Sequence, residues 1–138
     1  LLHGEGVPED EAEAVRQYRR AAEQGFSSAQ NNLGVMYHNG DGVRQNKVEA
    51  VKWYRLAADQ GSTAAQYNLG LMFYYGDGVP KNVVEAARWY RLAAKQGYAN
   101  AQSNLGLLYY FGEGVPKSYI DAYACWNLAA LQGDESAK

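Results

Sequence analysis

Cysteine is almost absent from this chain. Cys125 is the only one, so no disulfide framework can hold the molecule together. A lone thiol suits the cytosol and equally a periplasmic protein that needs no disulfides, so the compartment stays open. Histidine is as scarce, with only His3 and His38, and no His-Glu-x-x-His stands anywhere, so no metal and no other cofactor is expected. No Ser-x-x-Lys occurs either, which removes the usual nucleophile pair of a serine β-lactamase. No apolar run approaches the length of about 18 residues that would insert in a membrane as a helix. Excess charge is missing too: 13 basic against 15 acidic residues leave a net charge of −2, without the clustered cations that nucleic acid would require.

What is present is apolar bulk and repetition. Of the 138 residues, 47% are apolar and 12 are tyrosine. The chain starts at Leu1 rather than a methionine. It is expected to be a section of a longer protein, with any targeting segment outside it. Gly25, Gly61, Gly97 and Gly133 lie 36 residues apart, as do Ala21-Ala22, Ala57-Ala58, Ala93-Ala94 and Ala129-Ala130. Leu33-Gly34, Leu69-Gly70 and Leu105-Gly106 keep that step, and so do the Gly-x-Gly-Val words that start at Gly4, Gly40, Gly76 and Gly112. Agreement at so many positions marks a repeat architecture. Its layout is one repeat domain over 1–138: a partial repeat at 1–24, full repeats at 25–60, 61–96 and 97–132, and the start of another at 133–138.

Each period reads as two helices. For the longer one, B, the residues Asp10, Asn46, Asn82 and Ser118 are N-cap types, and Glu13, Glu49, Glu85 and Asp121 follow three residues later. That is the pattern of a capping box. B helices are expected over 11–24, 47–60, 83–96 and 119–132, each stopped by its glycine. The shorter helix, A, is expected over 27–38, 63–74 and 99–110. Links of one or two residues from B to A make the two antiparallel neighbours. Pro8, Pro80 and Pro116 stiffen the loop from A to the next B, and Arg44 breaks that pattern. At 100° per residue, Ala50, Trp53, Tyr54 and Ala57 share one face of B, while Ala65, Leu69, Met72 and Phe73 share one face of A. Gly70 removes a side chain where two helices must approach closely. One helix pair cannot bury such faces alone, so neighbouring pairs must cover them.

The words Ala-Gln-x-Asn-Leu-Gly, Gly-Asp-Gly-Val and Glu-Ala-x-x-Trp-Tyr-Arg-Leu-Ala-Ala-x-Gln-Gly, in fixed order and repeated, resemble the Sel1-like repeat, a relative of the tetratricopeptide repeat. The resemblance covers nearly the whole chain. It implies an all-α fold, a right-handed alpha-alpha superhelix (solenoid) of 36-residue helix-turn-helix repeats with A helices on the concave side. It also implies a scaffold or adaptor role, often bacterial. Two departures stand out: Gln17 and Cys125 occupy the places of Trp53 and Trp89, although Trp126 keeps aromatic bulk beside Cys125. The end repeats are therefore expected to pack more weakly, and open apolar ends leave room for end-to-end self-association.

The second face of helix A is the candidate partner surface, for a protein or peptide. It carries Asn31, His38 and Asn39 in the first full repeat, Tyr67, Tyr74 and Tyr75 in the next, and Asn100, Tyr110 and Phe111 in the third. These positions vary while the core positions do not. Tyrosine offers large contact area at low entropy cost. No Lys or Arg lies among them, so the basic clamp that some tetratricopeptide domains use for a C-terminal carboxylate is missing. Asn32, Asn68 and Asn104 recur at the edge of this face. In tetratricopeptide-like proteins such amides grip a peptide backbone, since an amide donates and accepts at once; alternatively they tie neighbouring repeats together. His38 reads as a solvated or hydrogen-bonded side chain, not a ligand.

Other classes of function find less support. Some Sel1-like proteins have been labelled β-lactamases, but the residues for that chemistry are missing. Arg16, Arg19, Lys52, Arg55, Arg88 and Arg91 stripe the polar side of the B helices, and nearby acids make this a solvated face. A purely structural reading, in which the segment extends a longer solenoid and the partner sits elsewhere, is the main alternative to partner binding.

Overall fold

The computed structural model describes residues 9–137, which form seven helices and no strand. The B helices are α1 (Glu9–Glu23), α3 (Lys47–Asp59), α5 (Val83–Lys95) and α7 (Tyr119–Ala137); the A helices are α2 (Ser27–Asn39), α4 (Thr63–Tyr75) and α6 (Ala99–Phe111). Each helix packs on the next along the chain, giving the right-handed solenoid that the family resemblance implies. His3, Gly4, Gly6 and Pro8 lie outside the described residues.

The B helices start where their caps predict, by half of the expected mechanism. Asn46 and Asn82 Oδ1 accept from the backbone N–H of Glu49 and Glu85 at 3.0 Å, and Ser118 Oγ accepts from Asp121 at 3.1 Å. The reciprocal arm of the capping box is replaced. The backbone N–H groups of Asn46, Asn82 and Ser118 donate instead to the carbonyls of Tyr37, Phe73 and Tyr109 at 2.8–2.9 Å, in the preceding A helix. Each loop is thereby tied back onto the helix it leaves. The acids are free to turn outward, and Glu13, Glu49 and Glu85 pair with Arg16, Lys52 and Arg88 at 2.6, 3.7 and 2.6 Å. Asp10 departs from the pattern: α1 already begins at Glu9, so Asp10 sits inside the helix rather than capping it.

The A helices end at Gly40, Gly76 and Gly112, whose φ values of 78°, 68° and 69° are left-handed and whose N–H groups reach back to Met36, Met72 and Leu108. The second glycine of each Gly-x-Gly word answers to a different constraint. A Cβ on Gly78 would stand 2.4 Å from the Lys47 carbonyl oxygen, and one on Gly114 2.5 Å from that of Val83. This loop lies directly on the first turn of the preceding B helix. The B-to-A links are three residues long, as at 60–62, rather than one or two. At the last B helix the expected stop fails. Gly133 keeps helical backbone and α7 continues to Ala137, so no new A helix begins there. Glycine allows a left-handed end but does not impose one.

The expected faces are the core. Ala50, Trp53, Tyr54 and Ala57 on α3 and Ala65, Leu69, Met72 and Phe73 on α4 are all buried. A close side-chain-to-backbone contact joins each A helix to its following B helix. A Cβ on Gly34 would come within 2.7 Å of the Tyr54 ring, and one on Gly70 within 2.7 Å of the Tyr90 ring. On Gly106 it would meet Trp126 Nε1 at 2.4 Å, so Trp126 takes the place of the tyrosine in the last pair. Trp53 and Trp89 are buried with their indole N–H groups unpaired. The end helices lack this tryptophan: Gln17 is exposed and Cys125 only half-buried, as its replacement of a large ring dictates.

Two glycine substitutions separate these roles. Gly70→Ala gains about 1 kcal/mol of helix propensity but must displace the Tyr90 ring at an overpacking cost of about 1–3 kcal/mol, so urea melts should show a net loss of stability. Gly133→Ala, with nothing within 4 Å of the new Cβ, should raise stability by up to about 1 kcal/mol. A loss there would mean that Gly133 terminates α7 after all.

Candidate functional site

The second face of the A helices carries the candidate residues in three groups. On α2 and α4, Asn68 Nδ2 donates to Asn31 Oδ1 at 3.1 Å. Nearby, His38 Nδ1 lies 3.1 Å from Asn39 Oδ1, and its Nε2 stands 3.8 Å from Asp77, which also holds Lys47 Nζ at 3.1 Å. The A-helix end of the first repeat is therefore polar and tied to the loop of the next. Asn32, Asn39 and Asn100 are exposed.

Between α4 and α6 lies a hollow of about 110 Å³, lined by Tyr74, Tyr75, Tyr90, Asn104, Leu107 and Leu108. Three of the candidate residues, Tyr74, Tyr75 and Asn104, meet there. Tyr74 and Tyr75 sit edge-to-face with centroids 5.0 Å apart. Tyr67 stands against Tyr98 and Tyr90, at 5.0 and 5.9 Å, and its Oη accepts from Asn104 Nδ2 at 3.4 Å. Burial pushes the Tyr67 phenol's pKa up, and that of Tyr74 likewise. Tyr110 and Phe111 form a separate aromatic group with Tyr119 and Trp126, with centroids 5.0–5.8 Å from Tyr110. Tyr75 and Phe111 remain 69% and 63% exposed. They belong to no part of the core and are open to contact. Cations approach only the rims: Lys81 Nζ lies 5.8 Å from the Tyr74 ring and Lys117 Nζ 5.1 Å from Tyr119.

The recurring asparagines thus use their donors within the stack. Asn68 and Asn104 each bond the preceding A helix, at Asn31 and Tyr67, which are equivalent positions 36 residues apart. A second polar ladder, which the sequence reading does not single out, runs through the core. Gln30, Gln66 and Gln102 are buried, and their Nε2 atoms donate to the carbonyls of Ala22, Ala58 and Ala94 at 3.1, 3.4 and 3.1 Å. Gln60 and Gln96 then donate to Gln30 and Gln66 Oε1 at 2.8 Å, tying the ends of α3 and α5 to the A helix of the same repeat. Their 36-residue spacing inside Ala-Gln-x-Asn-Leu-Gly and Ala-Ala-x-Gln-Gly was the available signal. At the end of the ladder, Gln102 Oε1 is buried without a partner.

The basic stripe on the B helices is engaged by the chain's own groups. Arg16, Lys52 and Arg88 hold the acids described above. Arg19 and Arg91 donate to Tyr37 and Tyr109 Oη, and the Arg55 guanidinium lies 5.6 Å from the Phe73 ring centroid. Among the described residues no group of three or more His, Cys, Asp or Glu could hold a metal ion, and no helix is long and apolar enough to cross a membrane.

The model of the Sel1 repeat matches residues 1–26, 27–62, 63–98 and 99–134. The chain belongs to the Sel1 repeat family. Sel1 repeat proteins are in general non-enzymatic scaffolds for protein interaction. Among solved structures, this Sel1 chain is similar to c5321, a protective antigen of uropathogenic Escherichia coli with an SLR fold, at 45% identity and a TM-score of 0.88 over 94% of this chain and 28% of that one. A Sel1 repeat protein from Oxalobacter formigenes is 43% identical with a TM-score of 0.84, over 88% of this chain and 50% of that one. Cysteine rich protein B of Helicobacter pylori is 25% identical with a TM-score of 0.73, over 97% of both chains. The chain thus spans only 28% and 50% of the lengths of the first two. No curated protein sequence matches it. This Sel1 chain takes the fold of a protein named for its cysteines while holding a single one, so here packing and the amide ladders carry the stability.

The glutamine ladder makes a measurable claim. Gln66→Ala removes the side-chain donor to the Ala58 carbonyl and one of the two acceptors of Gln96 Nε2 and opens a void, so denaturant melts should show a loss of about 1–3 kcal/mol. Gln96→Ala, at an exposed position, should cost about 1 kcal/mol. The double variant should show a coupling of about 0.5–1.5 kcal/mol; simple additivity would mean that the 2.8 Å contact contributes nothing.

Proposed function

We propose that this Sel1 segment is a protein-interaction scaffold that holds an extended peptide or protein loop along the face formed by α2, α4 and α6. The observation that carries the reading is the set of large apolar side chains left open on successive A helices. Tyr75, Leu107 and Phe111 are 69%, 48% and 63% exposed, and they stand beside the half-buried Tyr67, Tyr74 and Tyr110. Exposed aromatic area of this kind marks contact surfaces. No Lys or Arg stands among these positions, and the nearest cations, Lys81 and Lys117, lie over the Tyr74 and Tyr119 rings, an arrangement that favours neutral partners over a carboxylate or phosphate clamped by paired cations. A helices packed about 8–10 Å apart would meet about every third residue of an extended peptide, which advances about 3.3 Å per residue.

A second reading has a specific observation behind it. Asn68 and Asn104 tie adjacent A helices, which suits a spacer whose partner site lies elsewhere in a longer solenoid. Selection of random peptides on the 138-residue chain, followed by affinity measurement, separates the two. The triple variant Tyr67→Ala, Tyr74→Ala, Tyr110→Ala should bind selected peptides at least about tenfold more weakly, as loss of aromatic anchors predicts, with its helical circular dichroism retained. Unchanged affinity in a folded triple variant would leave the spacer reading in possession.

A further inference from the structure

Tyr90 carries two jobs on one ring. Its edge lies on Gly70, fixing α5 against α4, and the residue is only 1% exposed. Its other end forms part of the hollow between α4 and α6. Among the described residues the Tyr90 hydroxyl donates no hydrogen bond, since the polar neighbour beside it, the Asn104 amide, gives its Nδ2 bond to Tyr67 at 3.4 Å. Burial pushes the phenol well above its ordinary pKa, with the Asn104 amide offsetting part of that rise, so the hydroxyl keeps its proton and remains a donor. Asn104 Oδ1 likewise accepts nothing among the described residues. Tyr90 and Asn104 both line the hollow, so this donor and acceptor stand where an entering polar group can meet them.

Three further features narrow what that something is. The first is size. At about 110 Å³ the hollow holds several waters' worth of volume, each about 30 Å³. It falls well short of the roughly 300–1,000 Å³ of sites that enclose a whole small molecule. One side chain fits; a free cofactor does not. The second is charge. The six lining residues carry no formal charge, and the charges at the rim are of both signs, with Glu113 Oε1 accepting from Tyr74 Oη at 3.5 Å and Lys81 Nζ 5.8 Å from the Tyr74 ring, so an acidic side chain entering the hollow meets no net counter-charge. The third is polarity: a paired donor and acceptor, Tyr90 Oη–H and Asn104 Oδ1, match the C=O and N–H of a peptide unit.

We infer that this hollow receives one uncharged aliphatic side chain of an extended peptide, with the Tyr90 hydroxyl donating to a peptide carbonyl beside it and Leu107 and Leu108 enclosing the side chain. This rests on the reading of the A-helix face as the partner surface and adds a position and a specificity to it. The repeat supplies an internal control. One period earlier Tyr54 stands in the place of Tyr90, but His38 and Asn39 replace Tyr74 and Tyr75, and Asp77 lies 3.8 Å from His38. One period later Trp126 replaces the tyrosine, and its Nε1 is already bonded to the Ser103 carbonyl at 3.2 Å. Of these three registers, the middle one alone combines a free phenol with aromatic walls.

The test uses N-acetyl-L-leucine N-methylamide as probe, with N-acetyl-L-aspartate N-methylamide beside it, titrated into the 15N-labelled 138-residue chain. The leucine probe should shift the amide signals of Asn104, Leu107 and Leu108 in the millimolar range, and the aspartate probe should bind at least tenfold more weakly. Tyr90→Phe keeps the ring on Gly70 and should weaken the leucine probe about two- to tenfold, the range of one uncharged hydrogen bond. Leu107→Trp, at a half-exposed position, should fill the hollow and abolish the response while the thermal melt stays unchanged. Equal binding of both probes, full affinity in Tyr90→Phe, a response that survives Leu107→Trp, or no response of these residues to the leucine probe would each overturn the inference. The partner-face reading is judged separately: selected peptides that still lose affinity in the triple tyrosine variant would sustain it even if the hollow fails.

Discussion

Everything in this solenoid hangs on an aromatic ring laid against a glycine. At Gly34, Gly70 and Gly106 the missing Cβ lets Tyr54, Tyr90 and Trp126 press onto the backbone of the neighbouring helix. That contact sets how near B can come to A, and through A to the next B. Interiors packed at crystal-like density do not absorb a misplaced methyl group. The contact also couples the two walls of the molecule. A ring long enough to seal the core on Gly70 carries its hydroxyl through to the far side, where Tyr74 and Asn104 stand. Packing and recognition are read out by the same side chain.

Polar groups complete what the rings begin. At the end of α1, α3 and α5 a carbonyl that already accepts from the following glycine N–H keeps a second lone pair open inside the stack. Gln30, Gln66 and Gln102 answer this by donating to the B-helix carbonyls of Ala22, Ala58 and Ala94, and Gln60 and Gln96 tie the B-helix end to the A helix of the same repeat. Each amide sees only its immediate neighbours, as expected of a structure whose stability is a sum over adjacent units. The unpaired Gln102 Oε1 lies beside α7, the helix that runs through its glycine instead of ending there.

Much of this was legible in the sequence. The 36-residue step, the N-cap residues Asn46, Asn82 and Ser118, and the faces carrying Trp53, Tyr54, Leu69 and Met72 follow from local propensity and periodicity, and those are properties of short windows. The proposed partner surface was legible as a set of variable positions on helix A. Its chemistry was not, because Tyr90 reads as plain core until the ring's far end is placed. Three other features also depended on longer-range geometry. The reciprocal half of the capping box lost to carbonyls in the preceding helix. The asparagine donors turned out to bond neighbouring helices. Gly133 keeps helical backbone where the earlier glycines of its series turn left-handed.

The two kinds of loop differ in what lies beneath them. The turn at Gly78 rests on the Lys47 carbonyl so closely that not even a methyl group fits, while nothing stands within 4 Å of a Cβ at Gly25 or Gly61. The first kind has its length locked by the helix below it, and a residue added there would lift one unit off the next. The second has room above its glycine at Gly25 and Gly61 and can take up an added residue with less displacement, although Gly97 meets Gln132 Nε2. If the lineage of this protein has gained or lost residues without changing the pitch of its coil, the B-to-A corners are where that drift would have accumulated, and they are where a tag or label can be inserted today.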